Sequence, residues 1–225
     1  MVTAIFPAAG ASRRMGASTN KIFLELGGES ILTRTLKTFS KSARIGLLIV
    51  VTNEIEAVTE ILSATPNLKP WRVTAGGSER QYSIANGLKL VPANSEIILV
   101  HDAARPLIDL QTIENVIDAA ENFGGAIAAV PEKNTIKVAD AAGFVKSTPN
   151  RADLFEVQTP QGFNREILLK AYARAQTDNF LGTDDASLVE RIGGKIKIVT
   201  GTYKNIKITT PEDISIAENF LRSEN

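Results

Sequence analysis

GLLIVV (residues 46–51) and EIILV (residues 96–100) are nearly continuous apolar runs. Such runs are typical of strands in a sheet that helices cover on both faces, whereas a sheet with one solvated face shows alternation. Similar runs recur at 3–6, 71–74, 126–130 and 196–199. Helical patterns separate them at 30–40, 54–64, 78–90, 110–123, 165–175, 184–192 and 212–222. This alternation predicts an α/β fold, a three-layer α/β/α sandwich.

Two helix starts carry capping signals. Ser78 and Gln81 have the spacing of a capping box. Thr210 precedes a proline and two acidic residues, which predicts a capped start for the last helix.

One segment interrupts the alternation. Residues 131–153 read PEKNTIKVADAAGFVKSTPNRAD, in which two short strand-like pieces flank 141–143. This predicts a protruding β-hairpin arm. Because a two-stranded hairpin is marginal in water, we expect the arm to pack on a partner, most simply a second copy of the chain. No linker-like composition marks a second domain, so we expect one domain over 1–225.

Composition excludes several classes. The 225 residues contain 25 Lys and Arg and 25 Asp and Glu, so no global field attracts nucleic acid or a membrane. No cysteine is present, which excludes disulfides and thiol nucleophiles and is typical of a reducing compartment. The first residues lack a signal-peptide pattern, and no apolar run could cross a membrane, so we expect a cytoplasmic protein.

The first loop indicates a polyphosphate site. IFPAAGASRRMGASTNK (residues 5–21) runs from an apolar strand into a small, flexible, cationic turn. Backbone N–H groups can approach a ligand closely where side chains are small. The small residues are Ala8, Ala9 and Gly10, and the cations are Arg13, Arg14 and Lys21. The alternative is an ordinary basic surface loop.

Other common sites are missing. The sequence has neither the dinucleotide fingerprint G-x-G-x-x-G after its first strand nor a P-loop, which disfavours a dehydrogenase. It also lacks G-x-S-x-G, so a hydrolase triad is not indicated. His101 is the only histidine and ends a buried run, so we expect a structural role.

Asp102 is the best-placed carboxylate, because ligands of open α/β sheets lie at the carboxyl ends of strands. It could bind a hydroxyl, approach a metal or cap the turn before Arg105, which in turn could pair with it or bind an anion. Gly76 and Gly77 form either a ligand-binding turn or a tight connection. Lys207 alternates with Asn205 and Thr209 and is either functional or a solvated edge-strand lysine.

Six motifs, in order, resemble the 2-C-methyl-D-erythritol 4-phosphate cytidylyltransferase family. They are PAAGASRRM (7–15) with Lys21, GGSERQYSIANGL (76–88), HDAARP (101–106), TPQGF (159–163), TDDASLVE (183–190) and NIKITTPED (205–213). The resemblance implies a Rossmann-like nucleotidyltransferase fold with a mostly parallel mixed sheet. It also implies transfer of CMP from CTP to methylerythritol phosphate in the non-mevalonate isoprenoid pathway, with Mg²⁺ held mainly by the CTP phosphates.

The resemblance also implies residue roles. Arg14 and Lys21 would stabilise charge on the triphosphate, and Arg151 and Lys207 would hold the attacking phosphate in line. The residues implied for the nucleotide are Ala8, Ala9, Gly10, Gly77, Ser78 and Ser83. Those implied for methylerythritol phosphate are Asp102, Arg105, Thr135 and Thr183. Arg151 would arrive on the arm of the other subunit of a homodimer, a role that spacing alone does not indicate.

One departure and two rivals qualify this interpretation. The family usually has Pro-Lys-Gln where this chain has Asn20-Lys21-Ile22, so the loop lacks a rigid proline before the lysine. A ribitol-5-phosphate cytidylyltransferase shares several motifs but fits HDAARP and TDDAS less well. A nucleotide-binding homologue without turnover is disfavoured because both Arg14 and Lys21 are present.

Overall fold

The computed structural model describes residues 1–10 and 20–223. Its strands are β1 (Val2–Pro7), β2 (Glu25–Leu26), β3 (Glu29–Ser30), β4 (Ile45–Val51), β5 (Trp71–Thr74), β6 (Ile97–Val100), β7 (Gly125–Pro131), β8 (Val138–Ala139), β9 (Val145–Ser147), β10 (Phe155–Asn164) and β11 (Lys197–Thr200). Its helices are α1 (Ile31–Ser40), α2 (Ile55–Ala64), α3 (Arg80–Leu88), α4 (Leu110–Phe123), α5 (Arg165–Thr177), α6 (Asp185–Arg191) and α7 (Pro211–Arg222). The predicted strands and helices are present with small shifts at the ends, except for the strand expected around Lys207.

A seven-stranded sheet forms the centre of the protein, in the order β11-β7-β10-β6-β1-β4-β5. Strand β1 pairs in parallel with β4 and β6, and the β4–β5 and β7–β11 pairs are also parallel. Only β10 runs antiparallel, against both β6 and β7. The mostly parallel mixed sheet is therefore confirmed.

The long strand β10 was missed by the sequence patterns. It contains Pro160, and a proline normally argues against a central strand because it cannot donate to the ladder. The structure accommodates it in an irregularity, since the pairing of β10 with β7 shifts register between Val157 and Gln161. The strand is buried over most of its length because it lies between two others.

Alternate residues of the central strands fill two separate cores. In β1, Ala4 and Phe6 pack on one side with α1, α2 and α4, whereas Ile5 packs on the other side with α3, α5 and α6. Both faces of the sheet are thus covered, which explains the continuous apolar runs. The predicted three-layer sandwich is confirmed. A third small core packs α7 against Leu26, Ile31 and Ile208.

The two capping predictions differ in outcome. Helix α7 begins after Thr210 as predicted, and the Asp213 carboxylate accepts from the Thr210 N–H at 2.8 Å. The box at Ser78 is wrong, because α3 begins at Arg80. Gln81 instead donates to the carbonyl of Phe180 and accepts from the N–H of Gly182. Its side chain is therefore bonded to a distant part of the chain and does not cap the helix.

The predicted hairpin is present as a separate two-stranded sheet, β8 with β9. Gly143 in its turn has φ +87°, a left-handed conformation that glycine adopts without strain. Its side chains are exposed, including Phe144 at 72% and Val145 at 62%. Its role in dimerisation and the single-domain organisation stay predictions. Within the described ranges, no helix is long and apolar enough to cross a membrane.

Candidate active site

A cavity of about 710 Å³ opens at the carboxyl ends of the parallel strands. Its walls come from the loops after β1, β5 and β6, together with Asn53 after β4 and Lys207 near the C-terminus. This is the edge at which open α/β sheets bind ligands, because loops from neighbouring strands diverge there. The predicted location of the site therefore agrees with the structure.

The first loop contributes backbone and a lysine to this cavity. Ala9, Gly10 and Lys21 line it, and Lys21 begins a short 3₁₀ turn, Lys21–Phe23. Ala8 also lines the cavity, but its N–H donates to the carbonyl of Val51 at 2.7 Å. That amide is already bonded to the sheet, so close backbone approach to a phosphate rests on Ala9 and Gly10. Arg13 and Arg14 lie outside the described residues.

The second loop, after β5, lies directly against the first. A Cβ built on Gly76 would lie 2.3 Å from the Cβ of Ala9, so only glycine allows the two loops to meet. The N–H of Gly77 donates to the hydroxyl of Ser83 at 3.0 Å, and Ser83 donates to the carbonyl of Glu79 at 3.1 Å. Gly77, Ser78 and Ser83, all predicted for the nucleotide, line the cavity together.

Asp102 lies at the centre of a cluster of three cations. Its carboxylate is 2.9 Å from the ammonium of Lys207 and 3.5 Å from the Nε atoms of both Arg80 and Arg105. Burial alone would raise the pKa of Asp102, but Lys207, Arg80 and Arg105 outweigh it and hold the pKa below its usual range. Asp102 is therefore an ionised carboxylate whose charge is balanced by the protein.

Lys207 is not on a strand, which corrects the sequence interpretation. Residues 205–209 form an irregular extended segment without sheet partners, although their side chains alternate. Asn205 and Ile208 are fully buried, and Lys207 turns towards Asp102. The solvated edge-strand alternative for Lys207 is therefore wrong.

Arg105 pairs with Asp102 and does not line the cavity. Its guanidinium also donates to the carbonyl of Asn205 at 2.7 Å. Burial is the largest influence on this group and lowers the pKa of Arg105, although Asp102 opposes it. Of the two open alternatives, pairing with the carboxylate is the one observed in this structure.

Arg80 is a functional candidate that the sequence reasoning did not select. It lines the cavity beside Asp102, and its Nη1 donates to the carboxylate of Asp185 at 2.8 Å. Asp185 is buried and also accepts a hydrogen bond from the hydroxyl of Tyr172. Burial lowers the pKa of Arg80, but the two carboxylates raise it more. The available signal was a cation closely following a Gly-Gly turn.

His101 is buried and structural in this conformation, as predicted. Its Nδ1 lies 3.0 Å from the Thr159 hydroxyl and its Nε2 lies 3.2 Å from the Arg105 carbonyl. Phe39 stacks at 4.7 Å between ring centroids. Burial lowers the pKa of His101 to about 3, so the ring is neutral at physiological pH.

Three predicted residues do not line the cavity. Thr183 is exposed in the loop before α6, and Thr135 is exposed in the part of the arm that precedes β8. Arg151 is also exposed, on the 3₁₀ turn that ends the arm, and donates to the carbonyl of Lys133 at 3.0 Å. None of the three lines the cavity of its own chain.

The site can bind and orient an anionic substrate. Lys21, Arg80 and Lys207 face one cavity that contains bare backbone and one ionised carboxylate. Across residues 1–10 and 20–223, no three His, Cys, Asp or Glu side chains cluster as metal ligands. The described residues therefore do not form a protein cage for Mg²⁺, which often binds through substrate phosphates instead.

Comparisons with known proteins agree on one family. The model of the 2-C-methyl-D-erythritol 4-phosphate cytidylyltransferase family matches residues 2–223. An enzyme of that name from Caldanaerobacter subterraneus subsp. tengcongensis is 46% identical over 224 residues, covering 98% of this chain and 99% of the relative. One from Bacillus mycoides is 47% identical over 223 residues, covering 98% of each.

Solved structures agree as well. A 4-diphosphocytidyl-2C-methyl-D-erythritol synthase from Anaerococcus prevotii superposes with a TM-score of 0.89 at 32% identity, covering 98% of each chain. A 2-C-methyl-D-erythritol 4-phosphate cytidylyltransferase from Thermus thermophilus gives a TM-score of 0.78 at 30% identity, with the same coverage.

Proposed function

The chain belongs to the 2-C-methyl-D-erythritol 4-phosphate cytidylyltransferase family, and we propose how the cavity carries out that family's reaction. The enzyme transfers CMP from CTP to methylerythritol phosphate. A phosphate oxygen of methylerythritol phosphate bonds to the α-phosphorus of CTP. The bond from that phosphorus to the bridging oxygen breaks, and pyrophosphate leaves with the electron pair. The observation that carries this assignment is the convergence of Lys21, Arg80 and Lys207 on one cavity around Asp102.

On the nucleotide side, the two contacting loops hold CTP. Ala9 and Gly10 present backbone to the phosphates, while Gly77, Ser78 and Ser83 surround the base and ribose. The proposal is supported by the close approach of the two loops, since a Cβ at Gly76 would clash with Ala9. Ala8 shapes the loop through its bond to β4.

The transition state gains charge on the phosphorus oxygens and on the departing pyrophosphate. Lys21 stabilises that charge together with Arg14. Fixed cations in a site that excludes water act strongly, because they need no reorganisation as the charge develops. Lys21 is suited to this role because the 3₁₀ turn presents it at the cavity wall.

On the acceptor side, Lys207 binds the attacking phosphate and Asp102 accepts from a substrate hydroxyl, with Arg105 holding Asp102 in place. Thr183, on the loop before α6, does not line the cavity, and its contact with the acceptor is proposed from the family resemblance alone. Arg80 and Arg105 keep Asp102 paired when Lys207 turns to the substrate phosphate, so no buried charge is left alone.

The enzyme works as a homodimer whose arms cross between subunits, in our proposal. Thr135 and Arg151 are exposed and do not line the cavity of their own chain, and the β8–β9 hairpin between them presents Phe144 and Val145 to solvent. A partner subunit would cover these apolar side chains and receive Arg151 at its own acceptor site.

Mg²⁺ would be held mainly by the CTP phosphates and would partly neutralise their charge. We place the reaction in the cytoplasm, which the cysteine-free composition supports.

The experiment that tests the function is pyrophosphate release with CTP and Mg²⁺. Methylerythritol 4-phosphate is supplied in one reaction and ribitol 5-phosphate in another. We expect release with the first alone. Release with the second alone would identify a ribitol-5-phosphate cytidylyltransferase. No release with either would favour a nucleotide-binding protein without turnover.

A further inference from the structure

The turn after β4, residues 52–54, contacts two of the loops that line the cavity, the first loop after β1 and the second loop after β5. The carboxylate of Glu54 accepts a hydrogen bond from Asn20 Nδ2 at 2.7 Å, next to Lys21 in sequence. The side-chain oxygen of Asn53 accepts from the N–H of Gly76 at 3.2 Å, where the nucleotide loop begins. One short turn therefore connects the first loop, which carries Lys21, to the second loop, which is proposed to bind the nucleotide.

A buried residue anchors this turn to the sheet. Thr52 is fully buried, and its N–H donates to the carbonyl of Thr74 at 2.9 Å. Its hydroxyl accepts from the backbone N–H of Glu54 at 3.1 Å, and its carbonyl accepts from Gly76 at 3.3 Å. Glu54 has an exposed side chain, but its backbone is held by the core.

Asn20 completes the connection on the other side. Its Nδ2 donates both to Glu54 and, at 3.2 Å, to the carbonyl of Ala8 at the end of β1. Its Oδ1 accepts from the N–H of Ile22 at 3.3 Å and caps the 3₁₀ turn that begins at Lys21. A single amide side chain thus joins two strand ends to the lysine's own turn.

We propose that Asn20 and Glu54 are positioning residues for Lys21, and that Asn53 does the same for the nucleotide loop. The inference rests on the proposed function of Lys21. A lysine side chain is long and flexible, so its ammonium reaches the α-phosphate reproducibly only if its backbone is held. Small misplacements of a reacting or stabilising group reduce turnover sharply. The 52–54 turn sets the separation between the cation and the nucleotide.

Asn20→Asp is the most informative variant. It keeps an oxygen to cap Ile22 but loses both amide donors and faces the Glu54 carboxylate with a second negative charge. We expect kcat to fall about tenfold or more while KM for CTP changes less than about twofold. The exchanged pair N20D/E54Q restores one hydrogen bond in the opposite direction and should recover much of the lost kcat.

Two further variants test whether the effect is specific to Asn20 and Glu54. Glu56→Ala removes another exposed carboxylate from the start of α2 and should leave kcat unchanged. Asn53→Ala should raise KM for CTP with a smaller effect on kcat, because it removes one of the two acceptors of the Gly76 N–H and leaves Asn20 in place.

A double-mutant cycle with Lys21→Met decides the matter. If Asn20 acts through Lys21, N20D has little further effect on kcat in the K21M enzyme. An N20D effect that persists in K21M, or no recovery in N20D/E54Q, would overturn the inference, because a general loss of folded structure does not depend on the lysine. If K21M itself keeps full kcat, the role of Lys21 fails instead.

Discussion

The ammonium of Lys207 lies 2.9 Å from a carboxylate oxygen of Asp102, so the cation proposed for the attacking phosphate is already paired inside the protein. Lys207 is the more exposed partner, with 38% of its side chain accessible against 10% for Asp102. Arg80 and Arg105 also contact Asp102. The lysine can therefore turn to a substrate phosphate while the buried carboxylate keeps two partners.

Replacing Lys207 should separate the two substrates. For Lys207→Met we expect kcat/KM for methylerythritol phosphate to fall about 10- to 100-fold, the loss of one charge-assisted contact, and KM for CTP to change little. Steady-state kinetics with each substrate varied in turn measures both. Lys195→Met removes an exposed lysine outside the cavity and is the matched control. An equal effect on CTP would contradict the acceptor assignment.

Lys21 and Arg14 should act in the transition state. Replacing either with Met should lower kcat by about 10² or more while moving KM for CTP less, because the charge they stabilise develops only during attack. Single-turnover kinetics at saturating CTP is the measurement. A variant that loses CTP affinity but keeps kcat would mean that the cation only binds the ground state.

Arg151 should serve the site of the partner subunit. A mixed dimer of an R14M subunit and an R151M subunit should contain one intact site, because the defects then fall together in the other. We expect about a quarter of wild-type activity when equal amounts of the subunits exchange at random, whereas either pure variant is nearly inactive. Sedimentation of the same samples checks the dimer. A lack of recovery in mixed dimers would mean that each arm serves its own chain.

Gly76 should tolerate no side chain. A Cβ there would lie 2.3 Å from the Cβ of Ala9 and 3.0 Å from the side-chain oxygen of Asn53, so Gly76→Ala must separate the loops. We expect KM for CTP to rise several-fold, with overpacking reducing stability by about 1–3 kcal/mol. Calorimetric titration with CTP and thermal unfolding measure the two effects. Unchanged CTP binding would show that the close contact between the loops is dispensable.

His101 should stay neutral across physiological pH. Burial lowers the pKa of His101 to about 3, whereas the ordinary pKa of a histidine in an unfolded chain is about 6.5. Neutral His101 contributes fully to the free energy of unfolding above pH 6.5, the pKa in the unfolded chain. This contribution decreases as the pH falls from 6.5 towards 3. Between pH 7 and pH 5 the free energy of unfolding should fall by about 2 kcal/mol through this residue.

Because His101 is the only histidine, its ring signals can be followed directly by NMR. We expect no titration between pH 8 and pH 5, and a flatter dependence of unfolding free energy on pH for His101→Gln. A titration midpoint near 6.5 would contradict the buried network with Thr159 and Arg105.

Much of the fold could be predicted because the signals are local. Apolar runs and helical periodicity depend on a few neighbouring residues, and both faces of the sheet are covered, as the runs at 46–51 and 96–100 required. Strand β10 could not be predicted in the same way. Its proline and glutamines are typical of a loop, and these residues form a strand only because the segment pairs with β6 on one side and β7 on the other.

The site was predicted less completely. Asp102 was selected from its place at a strand end, Lys21 as a cation of the first loop, and the glycines of the second loop as bare backbone before a helix, and all of these except Gly76 line the cavity. Arg80 was not, because its importance comes from Asp102 and from Asp185, which is 105 residues away. The hydrogen bonds from Ala8 to Val51 and from Asn20 to Glu54 could not be predicted either, because they join residues that are far apart in the sequence.

By itself, the sequence determined the fold class, most elements and, through six ordered motifs, the family, since each depends on residues close together in the chain. Only the tertiary structure decided which charges pair. Asp102 meets Arg80 and Lys207 because separate loops end at one edge of the sheet. Burial then makes that pairing obligatory, because an isolated carboxylate at this depth would not remain ionised.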